Sequence, residues 1–250
     1  MESEYFEHWS FPEHVLGADE QDPDGFQINS MPVDIYEGLY VALLETDVRP
    51  QRLGMQLAVS RDGLQWTRVA DRFVFLGQQQ DAAAWDQAAP TDWVRPATGL
   101  HTVTGQVRFH YNAGPLDDGC YGIGMARWRP DGFVSLTAGG EGGKLLTRSF
   151  LGNGPALHLN LDAGGGADAG EVRVKICDLQ GHPLDATPQP NMYRDLAPSP
   201  PSDWSAPIRG DHLDTVVDWS GGSGLRGLRG RLITLRVQLR NAHLYSFWTG

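Results

Sequence analysis

Basic residues are scarce in this chain: 20 Lys and Arg stand against 31 Asp and Glu, for a net charge of −11. That deficit argues against nucleic acid, whose phosphates call for a basic face, and against an anionic membrane surface. Neutral sugars remain compatible with it. Cysteine is nearly absent. Cys120 and Cys177 form neither a disulfide framework nor a zinc signature, and both read as small buried apolar residues. No apolar run reaches the length of a membrane-spanning helix. The start, Met1-Glu2-Ser3-Glu4, is acidic and has no apolar core, so it is not a signal peptide; as it stands the chain reads as cytoplasmic. No His-Glu-x-x-His pair, no Gly-x-Ser-x-Gly elbow and no dinucleotide fingerprint occur. The Gly164-Gly165-Gly166 and Gly221-Gly222 clusters open no helix, so they cradle no phosphate.

Turn formers and flat rings are abundant: 31 Gly, 16 Pro, 8 Trp, 7 Tyr and 9 Phe. They favour short strands over helices. A repeat is visible as well. Ser3 to Ser10 echoes Ser60 to Thr67, with Ser six residues before Trp in each, and Ala126 to Phe133 is a weaker echo. Each copy reads as a hairpin around a Trp, with Asp62-Gly63 as the tight turn. Recurrence at this spacing, with four strands in each unit, is the signature of propeller blades. The first blade is expected at 27–33, 39–46, 54–60 and 66–75, and the second at 88–95, 99–111, 121–128 and 132–137. Residues 5–16 read as the lone outer strand of an earlier blade.

After Gly139-Gly140-Glu141-Gly142-Gly143, a hinge-like stretch, the strands change character. Leu232 to Arg240 alternates cleanly from Leu235, as in a half-buried strand of a two-sheet stack. The expected architecture is therefore all-β: a partial β-propeller over 1–138 (about two blades plus one strand) and a β-sandwich over 139–250. A long proline-rich loop falls at 186–210.

The run Gly122-Ile123-Gly124-Met125-Ala126-Arg127-Trp128-Arg129-Pro130-Asp131-Gly132-Phe133 resembles bacterial proteins related to glycoside hydrolase families 32, 43 and 68. So do Met31-Pro32, Tyr36-Glu37-Gly38-Leu39-Tyr40, Trp85-Asp86 and Leu244-Tyr245-Ser246-Phe247. The resemblance implies a five-bladed propeller followed by a β-sandwich. This sequence accounts for only two blades and a fraction. In that group the first catalytic carboxylate lies on the innermost strand of the first blade, which is missing here, and Gln87-Ala88 replaces the usual glycine after Trp-Asp.

Cleaving a glycoside takes one carboxyl to protonate the leaving oxygen and a second to attack or to activate water. Asp86, beside Trp85, is the first catalytic candidate, with Asp24 or Glu37 as its partner. Asn29, Trp85, Asp92, His110 and Tyr111 are the substrate-binding candidates, and Asp34 is a weaker acidic one. The alternative for Asp86 and Glu37 is a turn role. The loop Asp19-Glu20-Gln21-Asp22-Pro23-Asp24 offers oxygens of the kind calcium takes but lacks EF-hand spacing, so no metal or cofactor is expected. Three readings follow: a glycoside hydrolase-like protein acting on a glycan or furanoside, inactive if the propeller is incomplete; a carbohydrate-binding protein using Trp85, Trp93, Trp204 or Trp248 for stacking; and an assembly subunit, a homo-oligomer that covers its open blades.

Overall fold

The computed structural model describes residues 1, 3–48, 51–76, 94–103, 105–114, 121–165, 169–184, 204–219 and 224–250. The chain divides into two compact units, Met1–Trp128 and Arg129–Gly250. Among the described residues both are all-β apart from two short 3-10 turns. No helix among the described residues is long and apolar enough to cross a membrane.

In the first unit, β1 (Phe26–Ser30), β2 (Val33–Tyr36), β3 (Leu39–Val48), β4 (Gln51–Ser60) and β5 (Trp66–Arg68) form one antiparallel sheet. β1 and β2 both pair with the same edge of β3, so they act as one strand interrupted at Met31-Pro32. Proline has no N–H to continue a ladder. The resulting meander of four strand positions is the first blade that the hydrophobic pattern predicts. Its last strand stops at Arg68, short of the expected 75, because Ala70, Asp71 and Arg72 take positive φ and turn the chain. The β4–β5 turn is locked from within. The Ser60 hydroxyl accepts the Gly63 N–H at 2.9 Å, Asp62 accepts the Leu64 and Gln65 N–H groups, and the Trp66 indole donates to the Gly63 carbonyl.

A second sheet of the same unit holds β6 (Val94–Pro96), β7 (His101–Val103), β8 (Gln106–Ala113) and β9 (Gly122–Trp128). Here the expected strand 99–111 resolves into two, folded back at Gly105, whose φ is +72°. Val107, Phe109, Tyr111 and Ala113 face inward from β8. Phe75 follows the first sheet in the chain and packs on Phe109 and Trp128 of the second, with centroids at 6.1 and 5.0 Å. This is how adjoining blades bury their faces.

Two expectations fail. Residues 5–16 form no strand; Phe6 and Trp9 pack edge to face in an exposed stretch, and only Leu16 reaches the apolar cluster of Ala42, Leu44 and Ala58. The strand expected at 132–137 belongs instead to the second unit. There β10 (Leu136–Ala138) pairs with β17 (Ala242–Thr249).

The second unit stacks two sheets. One runs β10, β17, β13 (Leu157–Asp162), β15 (Asp211–Val216). In the other, β16 (Leu232–Arg240) is central, flanked on one side by β11 (Gly143–Leu146) and β12 (Phe150–Leu151) and on the other by β14 (Glu171–Cys177). Leu157, Leu159 and Leu161 from the first sheet meet Val172, Val174, Ile233, Leu235 and Val237 from the second in one core. At roughly 1.5–3 kcal/mol per buried side chain, this alternation is what orders the unit. Cys177 lies in that sheet, free and buried, and burial pushes its thiol pKa up.

Candidate functional site

The described catalytic candidates do not converge. Asp24 is exposed just before β1, whose Phe26 lies opposite Val48. Glu37 sits at the other end of β3, in the β2–β3 turn, with φ +46° beside Gly38 at +76°. Ten residues of β3 separate the two ends, about 30 Å at ~3.3 Å per residue. A glycosidase pair stands roughly 5–9.5 Å apart, so Asp24 and Glu37 cannot share one bond. Trp85, Asp86, Asp92 and Trp93 lie outside the described residues.

A closer pair carries no signal in the sequence. Glu45 and Asp47 alternate on one face of β3 and are 5% and 2% exposed. Two residues along a strand span about 6.6 Å, within the catalytic range. Asn29 donates to Asp47 at 2.7 Å, so this binding candidate supports a buried carboxylate. Both acids are closed off from a substrate. Asp34 also has a structural contact: its carboxylate accepts the Leu100 N–H at 2.6 Å and ties the second sheet's entry to β2. Tyr111 is buried over Gly124, while the ring of its neighbour His110 lies on the outer face near Thr98 and His101.

The acidic loop takes arginine partners. Arg68 forms a two-pronged pair with Asp22, both side chains nearly fully buried, and Arg72 reaches Asp19 and Asp22. The hydrogen bond from Arg72 holds the Asp19 carboxyl down at about 2. Burial works against the charged form of Asp22, but the hydrogen bonds from Arg68, the Asp19 N–H and Arg72 outweigh it and lower its pKa. Among the described residues no group of three His, Cys, Asp or Glu side chains stands close enough to hold a metal ion.

A second arrangement lies on the outer face of the β10-β17-β13-β15 sheet. Register places Val216, His158 and Trp248 in one row across three strands. The His158 and Trp248 rings stack at 5.3 Å and 15°. His158 Nδ1 lies 2.7 Å from the Asp214 carboxylate, an acceptor that sets the proton on Nδ1 and fixes the ring. Val216 is 55% exposed. β10 pairs only with residues 242–244 of β17, so past that point this edge has no strand neighbour among the described residues. The other half of the face is occupied. Arg129 lies 4.3 Å over the Tyr245 ring, Asn160 donates to the Pro130 carbonyl and Ser246 to Asp131. Trp248 is one of the stacking candidates named from the sequence; His158 and Val216 are not, because only strand register brings them to it. Trp204, another stacking candidate, has Lys175 Nζ 5.8 Å over its ring.

No protein-family model matches the sequence, and no curated protein does. Three solved structures show a loose likeness. A complex of BT0996 with RGII has 17% identity and a TM-score of 0.34, covering 44% of this chain and 29% of that one. A structure described as a glycoside hydrolase has 17% identity and a TM-score of 0.33, with the same coverage. A mutant of the Bombyx mori GH32 β-fructofuranosidase BmSUC1 in complex with sucrose has 10% identity and a TM-score of 0.30, covering 88% and 67%. The chain spans under a third of the first two. Superposition this loose assigns no residue a role.

Proposed function

We propose that the chain is a glycoside hydrolase-like protein that engages a glycan, and that its second unit holds the sugar. The row Val216–His158–Trp248 carries the reading. A sugar offers an apolar C–H face and a rim of hydroxyls. An aromatic ring answers the first, and the fixed His158–Asp214 pair answers the second. A chain of net charge −11 suits a neutral sugar here. The motifs around Gly122–Leu136 and Leu244–Phe247 support the glycosidase-like origin, and a furanoside or a related plant or microbial glycan is the ligand class they suggest.

The second reading, hydrolysis, rests on Asp86 alone. Asp24 and Glu37 stand too far apart to act together, and Glu45 with Asp47 is buried. One experiment separates the two readings: affinity electrophoresis on a panel of neutral glycans, followed by product analysis after long incubation. Retardation without released sugar supports binding. Release of sugar that Asp86→Ala abolishes supports hydrolysis. The absence of both retardation and released sugar refutes the proposal.

A further inference from the structure

The outer face of the β7-β8-β9 sheet in the first unit contradicts the acidic character of the chain. Strand register sets His101 opposite Arg108, and Arg108 opposite Arg127, in one row across three strands. Directly opposed like charges destabilise a sheet, and neighbours usually relieve them. Here they do not. The remaining outward positions of β7, β8 and β9 are Val103, Gln106, His110, Asn112, Ile123 and Met125, with no carboxylate among them. Among the described residues Arg108 bonds only the neutral amide of Gln106, at 3.0 Å, and Arg127 is exposed with no hydrogen bond or ion pair. Beside the cations lie Ile123, 74% exposed, and Met125, 44% exposed. The face thus pairs two forked cations with an apolar strip.

Resting on the glycan reading above, we infer that this face binds an acidic oligosaccharide, a uronate-containing chain. A sugar carboxylate would sit between the Arg108 and Arg127 guanidinium groups, with its ring against Ile123 and Met125. Arginine suits the task because its planar fork matches a carboxylate in two-point geometry. Neutral sugar would satisfy neither cation, so the site is distinct from the Trp248 row.

The test is calorimetry of the intact chain with oligogalacturonate and with its methyl-esterified counterpart, which keeps the sugar and removes the charge. The inference expects binding of the acid, at least about tenfold weaker binding of the ester, and an affinity that falls with salt. Arg108→Gln and Arg127→Gln should each weaken it about tenfold, since each removes one charge-assisted contact. The double variant should bind no acid, yet melt no lower than the parent, because a repulsion has been removed. Equal affinity for acid and ester, parental affinity in the double variant, or displacement by inorganic phosphate at equal concentration would each overturn it. If neutral glycans bind and oligogalacturonate does not, this inference alone fails. If no glycan binds, the reading beneath it fails too.

Discussion

Replacing Arg68 by Met should destabilise the first unit far more than a surface ion pair would allow. The Arg68 side chain is 3% exposed and its partner Asp22 4% exposed, and the guanidinium also lies 4.9 Å over the Phe26 ring. Arg68→Met keeps most of the apolar stem and removes the charge. Asp22, itself buried, then keeps only the Asp19 N–H and Arg72, whose side chain is 18% exposed, as partners among the described residues. Breaking a buried pair on one side costs about 3–5 kcal/mol, and the remaining Arg72 contact puts the expectation at the lower end, about 3 kcal/mol. The double variant Arg68→Met with Asp22→Leu leaves no orphaned charge and should recover most of that loss. Asp19→Asn, at a side chain 52% exposed, should cost at most about 1 kcal/mol. Hydrogen exchange read by mass spectrometry on peptides from 39–48 and 54–60 is the suitable assay, since it reports the first unit apart from the second. A loss under about 1 kcal/mol for Arg68→Met, or a double variant as unstable as the sum of its singles, would mean that the Arg68–Asp22 pair is not a buried, coupled pair.

Three further outcomes follow from the same geometry. Gly124→Ala should destabilise the second sheet by about 1–3 kcal/mol, because a Cβ there would lie 2.2 Å from the buried Tyr111 ring; thermal melting followed by Tyr near-ultraviolet dichroism reads this. Asp62→Ala removes the acceptor of two turn N–H groups and should cost about 1 kcal/mol, seen as faster exchange at Leu64 and Gln65. Acidification should weaken the first unit between about pH 4 and pH 2. Asp19 and Asp22 have lowered pKa values in the folded chain, so their contribution is complete above the ordinary value of 3.8 and disappears as pH falls through the folded value, about 2 for Asp19. Stability that stays flat across that window would contradict the pairing.

What is local was legible in the sequence. Ser60, Asp62, Gly63 and Trp66 bond to one another within seven residues, so their spacing announced the hairpin and, through it, the first blade. The same spacing at Ser3 to Ser10 misled, because residue types recurred there without the alternation that buries one strand face; Leu16 is the residue of that stretch that packs on the Ala42 cluster. Leu136 to Ala138 finds its partner in Ala242 to Leu244, more than a hundred residues on, a choice no local pattern carries. The acidic loop 19–24 resembled a cation site because the arginines that occupy it, Arg68 and Arg72, are remote in sequence. Both proposed surfaces share this origin. Val216, His158 and Trp248 come from three strands, as do His101, Arg108 and Arg127, and they become neighbours only through register.

The indole N–H spectrum of the chain gives the sharpest check on sugar binding at the Trp248 row. With Trp248→Phe used to assign its resonance, titration with a retained neutral oligosaccharide should move the Trp248 signal and leave those of Trp66 and Trp128, which pack inside the first unit, in place. A saturating glycan that leaves Trp248 unmoved would contradict the account.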